Sequence, residues 1–310
     1  MQTNVLTSTA GMDREDWLQW RNKGLGGSDV AAIAGLSKWK SPLAVWLEKV
    51  GQIEPSEVGE AAYWGNRLED IVADEFTLRT GIKVRRKNAI LQHPEYPFML
   101  ANVDRMIVGE DAGLECKTAN EYFKDQWDED EKKLPDAYML QIQHYMAVTG
   151  CASWYVAVLI GGNKFVWFKV DRDQELIDHL IKIESDFWEL VTSNIMPPVD
   201  GSDATKDILD KMYPNSNENS IALPSEANDI LKNLEHCKEM ESEWTIKKQE
   251  CENQLKQMLG DNESGHINEQ KVKWKTVNTN RLDSKSLKKE LPRTYEQFCK
   301  ESSYRKFTIS

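Results

Sequence analysis

Several things are scarce in this 310-residue sequence, and each scarcity removes a class of function. No apolar run approaches the roughly eighteen residues that a membrane-spanning helix needs. The opening stretch MQTNVLTSTAGMDRED has no basic segment leading into an apolar one, so no secretory leader is expected. Cysteine is sparse: Cys116, Cys151, Cys237, Cys251 and Cys299 make an odd number with no C-x-x-C pair. Thiolate zinc sites and iron–sulfur clusters need closely spaced ligands, so neither is expected, and a reduced cytoplasmic setting is. No glycine-lysine loop of the Walker type occurs, which argues against a helicase or another P-loop motor. Positive charge is also short, with 39 Lys and Arg against 51 Asp and Glu and a net charge of −12. That excludes passive coating of nucleic acid but not an enzyme that places its basic residues locally.

What is present reads as an α/β protein with a real core, since 40% of the residues are hydrophobic and eleven are tryptophan. Helices are expected at DREDWLQWR, at the segment following GLGGS, at SPLAVWLEKVGQ and over WGNRLEDIVADEFTLRTG. Ser28 is the expected cap of the second of these. Strand-like pieces follow in IKVRRKNAIL, FMLANVDRMIV and GLECKTA. A helix then runs from Pro135 to about Thr149, and SWYVAVLIGGNKFVWFKV reads as a hairpin turning at Gly161-Gly162. QELIDHLIKIESDFWELV closes a domain spanning 1–200, and the turn-rich 201–224 reads as a linker. Between 225 and 263 a narrow apolar seam marks a helical hairpin or coiled-coil segment. The remainder, 264–310, is basic: from 271 onward eleven Lys and Arg stand against four Asp and Glu.

Chemistry concentrates in FMLANVDRMIVGEDAGLECKTAN. Strand side chains alternate, so Glu115 and Lys117 share a face and Cys116 turns to the other. A turn over Gly109 to Gly113 would bring Asp104 level with that pair. Two carboxylates held together repel unless a cation sits between them, and carboxylate oxygens are what Mg²⁺ prefers. The backbone carbonyl of Cys116 can complete such a set. Phosphodiester cleavage needs this equipment: a divalent ion at the phosphoryl group, room for a second ion, and a lysine to orient water or stabilise charge. A surface hairpin with an ordinary ion pair is the other reading of the same letters.

The D-x(10)-E-x-K spacing resembles the PD-(D/E)xK nuclease core, a central mixed sheet flanked by helices. The motifs around it resemble the λ-type phage exonucleases, and most closely the YqaJ-type prophage recombination exonucleases. WGNRLE resembles the family's acid-bearing helix, here Glu69, and AYMLQIQHY its Q-x-x-x-Y helix, here Gln141 and Tyr145. WRNKGLGGSDVAAIAG resembles its 5′-phosphate segment, here Arg21 and Ser28, and KWKTVNTNRLDSKSLKKELPRTYEQF resembles the end of its chains. The likeness departs at Asp104, which has Val103 before it and Arg105 after it, and at Asn102, where relatives carry a serine.

The resemblance implies a Mg²⁺-dependent exonuclease, with Mn²⁺ as a substitute, acting 5′ to 3′ on double-stranded DNA ends and leaving 3′ single strands for recombination. Asp104, Glu115, the Cys116 carbonyl and Glu69 would hold metal, Lys117 and Gln141 would act on the water, and Arg21 and Ser28 would take the 5′-phosphate. It also implies the host cytoplasm, a RecT-like single-strand annealing partner and a homotrimer. The basic run KVRRK is either a DNA rail or a charged edge strand. Two rival functions remain open at this stage. One is a same-core endonuclease or single-strand-specific RecB-like nuclease. The other is a non-catalytic adaptor that binds DNA ends or a recombinase.

Overall fold

The structure, a computed structural model, describes residues 3–55, 59–131, 133–217, 219–301 and 303–309; Ser302, inside the basic segment 264–310, lies outside them. The chain divides into two compact units, Met1–Tyr213 and Pro214–Ser310. In the first, β1 (Asn4–Ser8), α1 (Arg14–Arg21), β2 (Leu25–Gly26), α2 (Gly27–Ile33), α3 (Pro42–Lys49) and α4 (Glu60–Thr80) lead into the strands β3 (Val84–Arg86), β4 (Ala89–Gln92), β5 (Met99–Ala101), β6 (Arg105–Ile107) and β7 (Ala112–Ala119). A 3₁₀ turn at Glu121–Gln126 precedes α5 (Asp136–Thr149), β8 (Ser153–Ile160), β9 (Lys164–Asp171), α6 (Gln174–Thr192) and α7 (Asp203–Met212).

A five-stranded mixed sheet in the order β3-β6-β7-β8-β9 organises this unit, and β7 and β8 are its parallel pair. Parallel neighbours need a crossover, and α5 supplies it. Both faces of β8 are therefore covered, which is why nearly all of its residues are buried rather than alternate ones. Trp154, Val156, Val158 and Ile160 pack toward α5, whereas Tyr155 and Ala157 join Val72, Ala73 and Phe76 of α4 on the other side. The β8–β9 hairpin turns through the three residues Gly161, Gly162 and Asn163, the two glycines taking the left-handed φ of 60° and 75° so that the Asn163 N–H can donate to the Ile160 carbonyl at 3.2 Å. A second sheet, in the order β1-β4-β5-β2, carries the short β2 in parallel with β5 and so sets where α2 begins.

The helix α5 is clamped through its buried His144. One ring nitrogen lies 2.9 Å from Glu184 Oε1 on α6 and the other 2.9 Å from the Leu100 carbonyl oxygen on β5. Burial pushes the imidazole pKa down, but the Glu184 carboxylate and its hydrogen bond more than reverse this, and the pKa ends above its ordinary value. A raised folded pKa stabilises the protein most below the unfolded value of about 6.5, and the gain disappears as pH rises through the folded pKa. The melting-temperature gap between wild type and His144→Gln should therefore be widest below about pH 6.5 and narrow above it. A gap that widened with pH would refute the charged pair.

Residues 201–224 differ from the expected linker. Ser202 caps a true helix, α7, whose Ile208 is buried against the α3 cluster around Trp46, so the first unit extends through it. In the second unit α8 (Ala227–Leu259) is one unbroken 33-residue helix rather than a hairpin of two. It is followed by the β10 (Ser264–Ile267) and β11 (Gln270–Lys273) hairpin and by α9 (Ser284–Glu290) and α10 (Pro292–Phe298). Among the described residues no helix is long and apolar enough to cross a membrane.

Candidate active site

The register of β6 with β7 pairs Arg105 with Leu114, so one residue back Asp104 stands level with Glu115. Leu114 belongs to the α4-facing cluster, which places Arg105 on that face, while Asp104, Glu115 and Lys117 look toward α5. Close packing makes room for this arrangement: a Cβ on Gly113 would lie 2.2 Å from the Trp154 ring. Asp104 Oδ2 accepts a 2.8 Å hydrogen bond from the Cys116 N–H. Lys117 Nζ lies 2.5 Å from Glu115 Oε1 and donates to Gln141 Oε1 at 3.2 Å, 4.8 Å above the Tyr138 ring. Gln141 in turn donates to Glu115 Oε1 at 2.8 Å and to the Tyr145 hydroxyl at 3.0 Å. Four of the residues singled out in the sequence thus form one continuous polar cluster around a buried carboxylate.

Electrostatics here are unresolved by protein groups alone. Burial and then the neighbouring Glu115 hold Asp104 well above the usual carboxylate range, and Glu115 is raised chiefly by its own burial. Burial would lower Lys117, but Glu115 and Asp104 overcome it and keep the ammonium protonated. A lysine held this way donates and attracts; it does not accept a proton. Glu115 Oε2 is buried without a hydrogen-bond partner, an acceptor that a cation would satisfy. Asp104, Glu115 and the backbone carbonyl of Cys116 could offer oxygen donors only, a chemistry that would suit Mg²⁺ or Mn²⁺. The cysteine thiol adds nothing: burial first, then Asp104, pushes its pKa far up.

Glu69 is not gathered into that set. Its Oε1 accepts from Arg105 Nη1, while the other end of the guanidinium takes Asp70, and among the described residues no three acidic, His or Cys side chains form a metal-binding group. Strand alternation explains the capture, because Arg105 emerges on the face against which α4 packs. Glu69, Asp104 and Arg105 nevertheless border one cavity of about 190 Å³, together with Lys87 and Asn102. Arg105, only 5% exposed, was visible in the sequence merely as a departure from the family pattern. Of the basic run, Arg86 sits on the edge strand β3 and is held by Asp70, and both Arg86 and Lys87 border the cavity.

Arg21 and Ser28 are brought together, Arg21 Nη2 donating to the serine hydroxyl. Ser28 is not the cap. Gly26 occupies that position, and its N–H goes to Asp29 Oδ2 at 3.2 Å. Sequence reading missed Asp29 altogether. It is 1% exposed and ringed by Arg21 at 3.4 Å, Lys40 at 3.2 Å and Lys49 at 3.0 Å. Burial pushes its pKa up, but the three cations more than offset this and hold the carboxyl well below the usual range. Lys40 and Lys49 lie 11 and 20 positions downstream, so no local spacing announces the cluster. Its three cations, though not Asp29 itself, line a groove of about 540 Å³ with Trp17 and the 88%-exposed Trp39.

The two motif sets meet because α2 lies against α5. A Cβ on Gly27 would fall 2.6 Å from Tyr145 Cε1 and 3.0 Å from Gln141 Cγ. Gly27→Ala is expected to destabilise the protein by about 1–3 kcal/mol and to displace Gln141, lowering any activity of the cluster. Chemical denaturation measures the first effect, and an unchanged midpoint would mean that the contact is slack.

With this geometry in view, comparison with known proteins gives a consistent result. A family model described as YqaJ-like viral recombinase domain matches residues 16–152. The uncharacterised protein YqaJ of Bacillus subtilis (strain 168) is 47% identical over 313 residues, covering 99% of this chain and 98% of that protein. Among solved structures, an alkaline exonuclease from Laribacter hongkongensis, LHK-Exo, superposes with a TM-score of 0.51 at 20% identity, over 64% of this chain and 99% of that one. Its complex with dAMP gives 0.50 at 19% identity, over 64% and 98%. The expected PD-(D/E)xK fold is borne out.

Proposed function

The chain belongs to the YqaJ-like viral recombinase family, and on that premise we propose that it is a metal-dependent exonuclease degrading double-stranded DNA from 5′ ends. The observation that carries this reading is the buried Asp104–Glu115–Lys117–Gln141 cluster with its unpartnered carboxylate oxygen. A structural ion pair has no need of a second buried acid in repulsion with the first. An all-oxygen cation site does.

In this reading Asp104, Glu115 and the Cys116 carbonyl hold Mg²⁺, and Glu69 stays outside them on Arg105. When bound, a divalent ion supplies charge neutralisation at the phosphoryl group and acidification of water. Lys117 stabilises negative charge as it develops on the scissile phosphate. Gln141, which donates through Nε2 and accepts through Oε1, orients the attacking water without altering the site's charge. Arg21 forks onto the terminal 5′-phosphate with Ser28 beside it, and a dianionic end is favoured over an internal monoanionic phosphate. The free 3′ strand so produced would pass to a RecT-like annealing protein, and a homotrimer enclosing the duplex would make digestion processive. The residues from 214 onward would form a separate helical and basic appendage.

Digestion of end-labelled linear duplex tests the proposal, comparing 5′-phosphate with 5′-hydroxyl ends and Mg²⁺ with EDTA. Mg²⁺-dependent release of mononucleotides from phosphorylated ends is expected, and Arg21→Ala should erase the preference for phosphate. Efficient cutting of a circular duplex would favour an endonuclease. Binding of phosphorylated ends with no release of nucleotides would favour an adaptor.

A further inference from the structure

Along most of its length the 33-residue α8 presents its side chains to solvent, and among its described residues Leu259 at the C-terminal end is the buried one. Exposed on one stripe of it are Ile230 (67%), Trp244 (61%), Leu255 (42%) and Met258 (80%), while Leu231, Met240 and Ile246 are exposed off that stripe. From Ile230 to Met258 the apolar positions Leu234, Cys237, Trp244, Cys251 and Leu255 fall on one unbroken series of alternating four- and three-residue steps. Glu241 and Lys248 fill the two remaining places in that series. Two positions in seven is the narrow stripe of a coiled coil, whereas a helix docked on a globular core carries a broader face. An isolated helix with such a stripe in water is marginal, so the seam calls for a partner helix.

The charges on the seam identify the partner. In a parallel, in-register pair every residue faces its own copy, which sets Glu241 against Glu241 and Lys248 against Lys248 inside the seam. Reversing one strand about a centre near Ile246 removes both conflicts. Trp244 then lies level with Lys248 of the second copy, and Glu241 lies about one layer from that same lysine. On the flank, Lys238 comes opposite Glu252 of the second copy. One helix therefore supplies both halves of each charge pair, in mirror order about its own middle. Within the helix Lys248 engages Glu252 only loosely, at 3.8 Å with both side chains solvated, a weak tie that pairing can exchange.

We propose that α8 pairs with α8 of a second copy of this chain as an antiparallel two-stranded coiled coil. The polar seam residues specify its direction, as single polar core positions do in other coiled coils. This holds whether or not the first unit is a nuclease.

Light scattering on the full-length protein after size exclusion tests it, with a short bis-maleimide of about 8 Å span as a second probe. Wild type should have twice the mass of Glu241→Lys and of Lys248→Glu, and the double swap Glu241→Lys/Lys248→Glu should restore the wild-type mass. In a parallel pair the swap restores nothing, because like still faces like. Cross-linked peptides should join Cys237 to Cys251. Within one helix these two lie about 21 Å apart, beyond the reagent, so that product comes only from two antiparallel copies. Equal masses for wild type and single variants, failure of the double swap, or Cys237–Cys237 products would each overturn the proposal.

Discussion

Lys117→Ala is expected to reduce cleavage by about 10³-fold or more while leaving the affinity for 5′-phosphorylated duplex nearly unchanged. In the cluster Lys117 touches Glu115 and Gln141, not the Arg21–Ser28 pair, so in the proposed function it would act where bonds change rather than where the end is gripped. Preorganised donors at developing charge contribute roughly 10²–10³-fold each, and a full ammonium in a covered site belongs at the upper end or beyond. The variant also leaves the Asp104–Glu115 repulsion without its cation, so its melting temperature should fall. Rates are therefore to be compared where both proteins are fully folded, with binding measured by anisotropy in Ca²⁺ to suppress turnover. Activity within tenfold of wild type would remove Lys117 from the reaction. Loss of binding with no separate loss of turnover would move it to the grip.

Much of this site is legible in the sequence, and the reason is local. Asp104, Glu115 and Lys117 lie on one hairpin, where period-two alternation and a glycine turn fix which side chains meet. Gln141 and Tyr145 were legible because one helical turn separates them. The pieces that escaped are those assembled by packing between distant elements. Asp29 gains its meaning only when α3 brings Lys49 against it, and its helix start looks in sequence like an ordinary serine cap. Arg105 reads as an odd neighbour of Asp104 until α4 delivers Glu69 and Asp70 to the opposite face. The same face switch explains why Glu69 is paired with Arg105, although it still borders the cavity that Asp104 lines. The strand β1 was missed because it is short and half-exposed, and α7 because a run of turn residues just before it disguised its capped start. Where the pattern is long, as in the unbroken apolar run of β8, the alternation of β9 and the helical period of α6, pattern and structure agree.

Asp104→Asn should abolish cleavage, by about 10³-fold or more, and yet make the metal-free protein more resistant to heat. Both effects follow from the same pair of acids. Asp104 is largely covered and faces Glu115, and burial together with that neighbour drives its carboxyl toward the protonated form. An amide of nearly the same shape removes a buried charge and a repulsion, and its oxygen can still accept from the Cys116 N–H. What it cannot do is supply an anionic oxygen to a divalent ion, whose Lewis acidity is worth several kcal/mol at a phosphoryl group. Wild type should therefore gain melting temperature on addition of Mg²⁺ or Mn²⁺, because an ion that binds only the folded state stabilises it by mass action. The variant should start higher and gain little. Calorimetry with Mn²⁺ gives a readout that needs no DNA: one or two ions bound to wild type and greatly weakened binding to Asp104→Asn. If the variant were less stable than wild type without metal, the two carboxylates would have to be attracted into place by the fold's own cations, Lys117 foremost. The cluster would then be a structural ion pair rather than a site built for a cation.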